Sequence, residues 1–123
     1  KYNFFKQCES FYNKYNMIKI GDIVPNKQVR TMGIIKFVKE IETKQKEKMA
    51  FVDLGDDTSN IEVVFFPKMY AESLPLKSGM ILMVGGSSQK RTSLQIVADY
   101  IKKIYILNNV INLKRMLIDS EEL

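Results

Sequence analysis

Residues 28–43, QVRTMGIIKFVKEIET, concentrate Val, Ile, Thr and Phe over a length that an ordinary straight strand does not reach. Such a strand fits a small domain only if it bends, and Gly33 is the position where the backbone can bulge or turn sharply. A long, coiled first strand is therefore expected.

The segment that follows reinforces this. In MAFVDL, Ala50, Val52 and Leu54 alternate with Met49, Phe51 and Asp53, so one face is aliphatic and Phe51 lies off it. After the turn GDDTSN, Ile61, Val63 and Phe65 alternate with Glu62, Val64 and Phe66, and Pro67 ends the strand and opens a short helical stretch, PKMYAESL. Two more strands, MILMVGGSS and LQIVADYI, are joined by the polar turn QKRTS. One alternation phase carries Val52, Leu54, Ile61, Val63, Leu82, Val84 and Ile96 inward. Three strands, a short helix and two strands suit a small closed barrel.

Upstream, Phe4, Cys8, Phe11, Tyr12 and Tyr15 recur at helical spacing behind Asn3 as N-cap. This aromatic stripe is expected to pack against the barrel or a neighbouring domain, with Cys8 acting as a small buried apolar group. Gly21, Pro25 and Asn26 supply the turn that separates helix from strand. Downstream, Val110, Leu113 and Leu117 fall at helical spacing. The expected organisation is a helix and linker over 1–26, a barrel over 27–101, and a C-terminal extension over 102–123 that begins a following segment.

With 123 residues, 46% of them hydrophobic, the chain supports one modest core. Its formal charge of +5 favours polyanionic partners. The chain opens at Lys1 with neither a signal peptide nor a transit peptide pattern, and is read as a piece of a longer protein. No apolar run is long enough to span a membrane, and the single Cys8 has no internal disulfide partner, so a cytoplasmic location is expected.

Catalysis by this segment is not expected, because it has no His to form a Ser-His or Cys-His pair. Asp53, Asp56 and Asp57 have carboxylates that in principle could hold Mg²⁺, but their place at a strand end and turn fits capping and solvation better. Gly85 and Gly86 lack the spacing of a phosphate loop. No catalytic residue, metal ligand or cofactor is assigned.

Together, RTMGIIKFVKEIETKQKEKMAFVDLGDDTSNIEVVFFPKMY and LPLKSGMILMVGGSSQKRTSLQIVADYI resemble the OB-fold domain near the C-terminus of bacterial replicative DNA polymerase III alpha subunits. The resemblance rests on the glycine in the first strand, the basic loop, the MAFVDL hairpin with its VVFFPKMY exit, and the last strand's LQIVA. The helix and IGDI upstream also look like the segment preceding the barrel in that family. Two turns depart from the pattern: Ser59 stands where a glycine is usual, with Asn60 able to supply the positive φ instead, and QKRTS lacks a glycine.

The resemblance implies a mainly β, five-stranded OB-fold Greek-key barrel with an N-terminal helix and a short helix between strands three and four. It also implies an outward platform that binds single-stranded DNA near a polymerase. In such a platform Phe51 stacks on a base, and Phe37 is a second candidate whose facing depends on the bend near Gly33. Arg30, Lys36 and Lys39 on the first strand, Lys44, Lys46 and Lys48 in the basic loop, and Lys90 and Arg91 in the last hairpin are the candidate phosphate contacts. Glu40, Glu42 and Glu47 are interspersed, so binding should be weak and salt-sensitive. The parent would be a DNA polymerase, a nucleotidyltransferase whose catalytic carboxylates lie in a separate palm domain. Two alternatives stand beside this: a module docking other polymerase domains or replisome subunits, and a tRNA-anticodon or helicase-type OB domain.

Overall fold

The first strand serves two neighbours in succession. In the computed structural model, which describes residues 4–105, β1 (Gln28–Glu42) pairs first with β4 (Ile81–Lys90) and then with β2 (Lys48–Gly55). Met32 lies opposite Met83, whereas Val38 lies opposite Val52. The strand shifts register between Ile35 and Phe37, with Lys36 as the extra residue, so the bulge is not at Gly33. Gly33 has a different task. A Cβ there would sit 2.7 Å from Leu54 Cγ and 2.8 Å from the Gly55 carbonyl, so bare backbone is what lets β1 cross the end of β2.

The remaining strands close the wall. β2 pairs antiparallel with β3 (Asn60–Phe65), β3 pairs parallel with β5 (Leu94–Ile104), and β5 pairs antiparallel with β4, giving a closed barrel in the order β1-β2-β3-β5-β4. The parallel pair needs a long crossover, which α3 (Pro67–Ser73) and β4 supply. A second register shift, opposite Gly85 and Gly86, leaves Asp99 extra in β5. This is the expected five-stranded OB-fold barrel, with its short helix between strands three and four. The apolar positions Val110, Leu113 and Leu117 and the N-cap Asn3 lie outside the described residues.

Val52, Leu54, Val63, Leu82, Val84 and Ile96 are wholly buried and Ile61 nearly so, in one cluster with Ile35, Phe65, Tyr70 and Leu76. The alternation read from the sequence is the alternation in the fold. Each such aliphatic side chain contributes about 1.5–3 kcal/mol by leaving water.

The N-terminal segment forms two short helices, α1 (Phe4–Gln7) and α2 (Glu9–Lys14), where one was expected. The stripe stays in register across the break, since the Cys8 N–H donates to the Phe4 carbonyl and the Tyr12 N–H to the Cys8 carbonyl. Phe4, Cys8, Phe11 and Tyr12 pack onto Met32, Ile81, Met83 and Ile104 on the outside of the barrel. Burial pushes the Cys8 thiol up to about 11, which makes it a poor nucleophile.

The turn between β2 and β3 fastens this segment. Asp56 accepts the backbone N–H groups of Thr58 (2.7 Å), Ser59 (3.1 Å) and, across the chain, Ile20 (2.8 Å) at the start of a 3-10 turn, Ile20–Asp22. Thr58 Oγ1 accepts the Gly21 N–H at 2.9 Å, and Lys19 pairs with Asp57 at 2.5 Å. Asp56 is therefore a cap. Positive φ among non-glycine residues occurs at Asn16, Asn26 and Lys46, so Asn60 does not supply it to this turn. Side-chain acceptance by Asp56 organises the turn instead.

Asp56→Ala leaves three backbone donors without their acceptor, at an expected cost of about 2 kcal/mol in urea unfolding. Asp57→Ala removes a partly exposed ion pair with Lys19 and is expected to cost less than about 1 kcal/mol. Equal effects of the two substitutions would contradict the capping role.

Candidate nucleic-acid interface

The barrel has two long outer faces, and α1 and α2 cover the one made by the first half of β1, β4 and the end of β5. The other is built from the second half of β1, β2, β3 and the start of β5. Its outward residues fall in rows set by the pairing. One row runs Lys39, Phe51, Val64, Val97, and the next runs Phe37, Asp53, Glu62, Gln95, Gln89.

The bulge decides which β1 residues join them. Ile35 points inward, and simple alternation would send Phe37 inward too. The extra residue Lys36 reverses the phase, so Val38 packs at the core edge while Phe37 and Lys39 face out. Phe37 is 59% exposed and sits diagonal to Phe51, at a cross-strand spacing of about 7–8 Å.

Beside Phe51 lies an open groove of about 330 Å³, lined by Met49, Phe51, Val64, Phe66, Gln89, Arg91 and Gln95. Val64 is its closed floor, Phe51 is half-buried in its wall, and Phe66 is 49% exposed at its edge. A flat aromatic ligand would meet apolar surface there, with the Arg91 guanidinium at the rim. The tip of the β1–β2 turn stands at one margin. Its residues 43–47 are closed by Thr43, whose N–H donates to the Glu47 carbonyl at 2.7 Å and whose carbonyl accepts the Lys46 N–H at 2.9 Å. Lys46 takes a left-handed φ of 63° there, and both Lys44 and Lys46 are exposed.

Of the sequence candidates, Phe37, Lys39, Phe51 and Arg91 therefore share one face, with Lys44 and Lys46 beside it. The others are placed elsewhere. Lys48 has the inward phase of Ala50 and pairs with Glu40 at 3.6 Å, and Glu40 also accepts the Tyr70 hydroxyl at 2.5 Å. That hydrogen bond, with burial, pushes the Tyr70 hydroxyl up to about 12. Lys36 sits at the bulge with its stem over Gly55. Lys90 lies opposite Leu94, out of phase with Arg91. Arg30 is on the covered side, donating to the Tyr100 hydroxyl at 2.6 Å and the Tyr15 carbonyl at 2.7 Å. Gly85 leaves room for that Tyr100 ring.

Sequence reasoning did not single out Met49, Val64, Phe66, Gln89 or Gln95 as site residues. The signal was present, because the alternation that turns Phe51 outward turns Val64 outward on the adjacent strand and Phe66 outward just past its end. Two outward apolar residues two positions apart mark a face that is not simply solvated.

Residues 29–104 match the family described as OB-fold nucleic acid binding domain. DNA polymerase III subunit alpha of Buchnera aphidicola subsp. Acyrthosiphon pisum is 35% identical over 83 residues, covering 66% of this chain and 7% of that protein. Its counterpart in Bacillus subtilis is 33% identical over 67 residues, covering 53% and 6%. The chain thus spans a small fraction of the length of these relatives. A domain of replication protein A from Methanococcus maripaludis superposes with a TM-score of 0.63 at 24% identity, covering 71% of this chain and 93% of that one, a likeness of fold. Barrel order, the open face and the family match over most of β1 to β5 lead to one conclusion: this chain belongs to the OB-fold nucleic acid binding domains.

Proposed function

We propose that this domain binds single-stranded DNA as an accessory module of a replicative DNA polymerase, holding template near the enzyme in the cytoplasm. The observation that carries the reading is the groove of Phe51, Val64 and Phe66 with Arg91 at its rim, on the barrel face that the N-terminal helices leave open. A base has two apolar faces and fits between such residues, and each stacked base contributes about 1–3 kcal/mol with little sequence preference. Identity with DNA polymerase III alpha subunits supports the parent assignment. The aromatic stripe, which a docking module could have offered to a neighbouring domain, packs on the barrel itself, and this weakens that alternative.

The charge on the face is nearly balanced. Lys39 and Arg91 stand against Asp53 and Glu62, so phosphate attraction comes mainly from the rim, through Lys44 and Lys46. With four cations engaged, the logarithm of the binding constant should fall with that of salt at a slope of about −3. Fluorescence anisotropy with labelled single-stranded and duplex oligonucleotides is the direct test. Tighter single-strand binding with that slope is expected, and absence of binding at low salt would overturn the reading.

Two sets of variants separate charge from stacking. Lys44→Gln with Lys46→Gly should reduce the salt slope by about half. Because glycine relieves a left-handed lysine, the protein should melt no lower, by a margin of about 1 kcal/mol in its favour. Phe51→Ala should cost about 1–3 kcal/mol of single-strand affinity at unchanged slope. Phe51→Tyr and Phe51→Trp should retain most binding, whereas Phe51→Leu should not. Wild-type affinity in Phe51→Leu would exclude ring stacking.

A further inference from the structure

We infer that the row Asp53, Glu62, Gln95, Gln89 makes this face select bases that carry an exocyclic amino group over thymine. The inference rests on the single-strand reading above and concerns what the face does with the edge of a base once Phe51 holds its plane.

Asp53 lies two residues along β2 from Phe51, about 7 Å, which is the reach of a stacked base toward its Watson–Crick edge. The opposite end of the groove, Met49 and Phe66, offers no strong hydrogen-bonding group. The polar edge of a base is therefore directed to the end lined by Gln89, Gln95 and Arg91, where Glu62 and Asp53 continue the row of Gln95 across the neighbouring strands. There the side chains are held in a fixed order. Gln95 Nε2 donates to Glu62 Oε1, and Gln95 Oε1 accepts Gln89 Nε2 at 3.1 Å. Gln95 is only 9% exposed, so its amide is set by these partners, and the row presents a defined pattern outward.

That pattern is rich in acceptors. It contains the Asp53 carboxylate, the second Glu62 oxygen and the Gln89 carbonyl, against the remaining amide hydrogens of the two glutamines and the Arg91 guanidinium at the rim. Asp53 and Glu62 are directly opposed across the strands, an arrangement of like charges that costs stability unless donors face it. The amino groups of cytosine, adenine and guanine are such donors. Thymine turns two carbonyl oxygens and one N–H to the same place, and its carbonyls would meet carboxylates.

The test compares oligo(5-methyl-dC) with oligo(dT) of equal length at neutral pH, since both carry the methyl group and differ mainly in the exchange of amino group for carbonyl. The 5-methylcytosine strand is expected to bind about tenfold tighter, the scale of one carboxylate-to-amino contact. In Asp53→Asn with Glu62→Gln the row gains donors, and that ratio should fall toward one while the protein melts at or above the wild-type temperature. Equal or tighter binding of oligo(dT) to the wild type overturns the selectivity and leaves single-strand binding standing. A double variant that keeps the tenfold ratio overturns the assignment to these residues. If neither strand binds at low salt, both readings fall. Should the double variant melt early, the wild-type comparison still decides, because it requires no substitution.

Discussion

At Lys36 the first strand contains one residue more than its partner, and the side-chain phase of the rest of β1 depends on it. Strand side chains alternate with a period of two, so a single inserted residue exchanges inside for outside from that point on. Without it, Phe37 and Lys39 would be turned toward the core and Val38 toward water. With it, Ile35 and Val38 both reach the core, and Lys39 lies opposite Phe51 on the open face. The same bulge bends the strand, which allows β1 to leave β4 for β2 and close the barrel. Closure and the composition of the candidate interface thus share one backbone irregularity.

The two outer faces of the barrel are given different work. One is made apolar by Met32, Ile81 and Met83 and is covered by the aromatic stripe of α1 and α2. That cover is held on its C-terminal side at two points. Asp56 and Thr58 grip the 3-10 turn after it, and Arg30 ties the end of α2 to Tyr100 on β5. The other face keeps exposed aromatic rings at Phe37 and Phe66, with polar side chains in ordered pairs between the strands. Covering the first face is what leaves the second as the broad platform.

Much of this was legible in the residues because it follows from local rules. Alternation on β2 and β3 identified the inward set and turned Phe51 outward, and helical spacing identified the stripe of Phe4, Cys8, Phe11 and Tyr12. The misplacements have a common physical origin in pairing. Whether Phe37 faces out depends on a bulge whose position is fixed by the β1–β2 register, and Gly33 drew attention because it is the flexible residue, though its task is clearance over Gly55. Arg30 and Lys48 looked like free cations, yet Tyr100, lying seventy residues on, and Glu40 across the hairpin engage them. The row from Asp53 to Gln89 joins four strands through one parallel and two antiparallel pairs, and nothing in the chain's order displays it.

The proposed binding mode puts single-stranded DNA on the open face and leaves the covered one untouched. Titration of the ¹⁵N-labelled chain with a short single-stranded oligonucleotide, followed through backbone amide shifts, tests it residue by residue. The largest changes are expected at Lys39, Phe51, Val64, Phe66 and Arg91, with α1, α2, Arg30 and Tyr100 unmoved. Changes concentrated around Arg30 and Tyr100, with Phe51 and its neighbours silent, would contradict it.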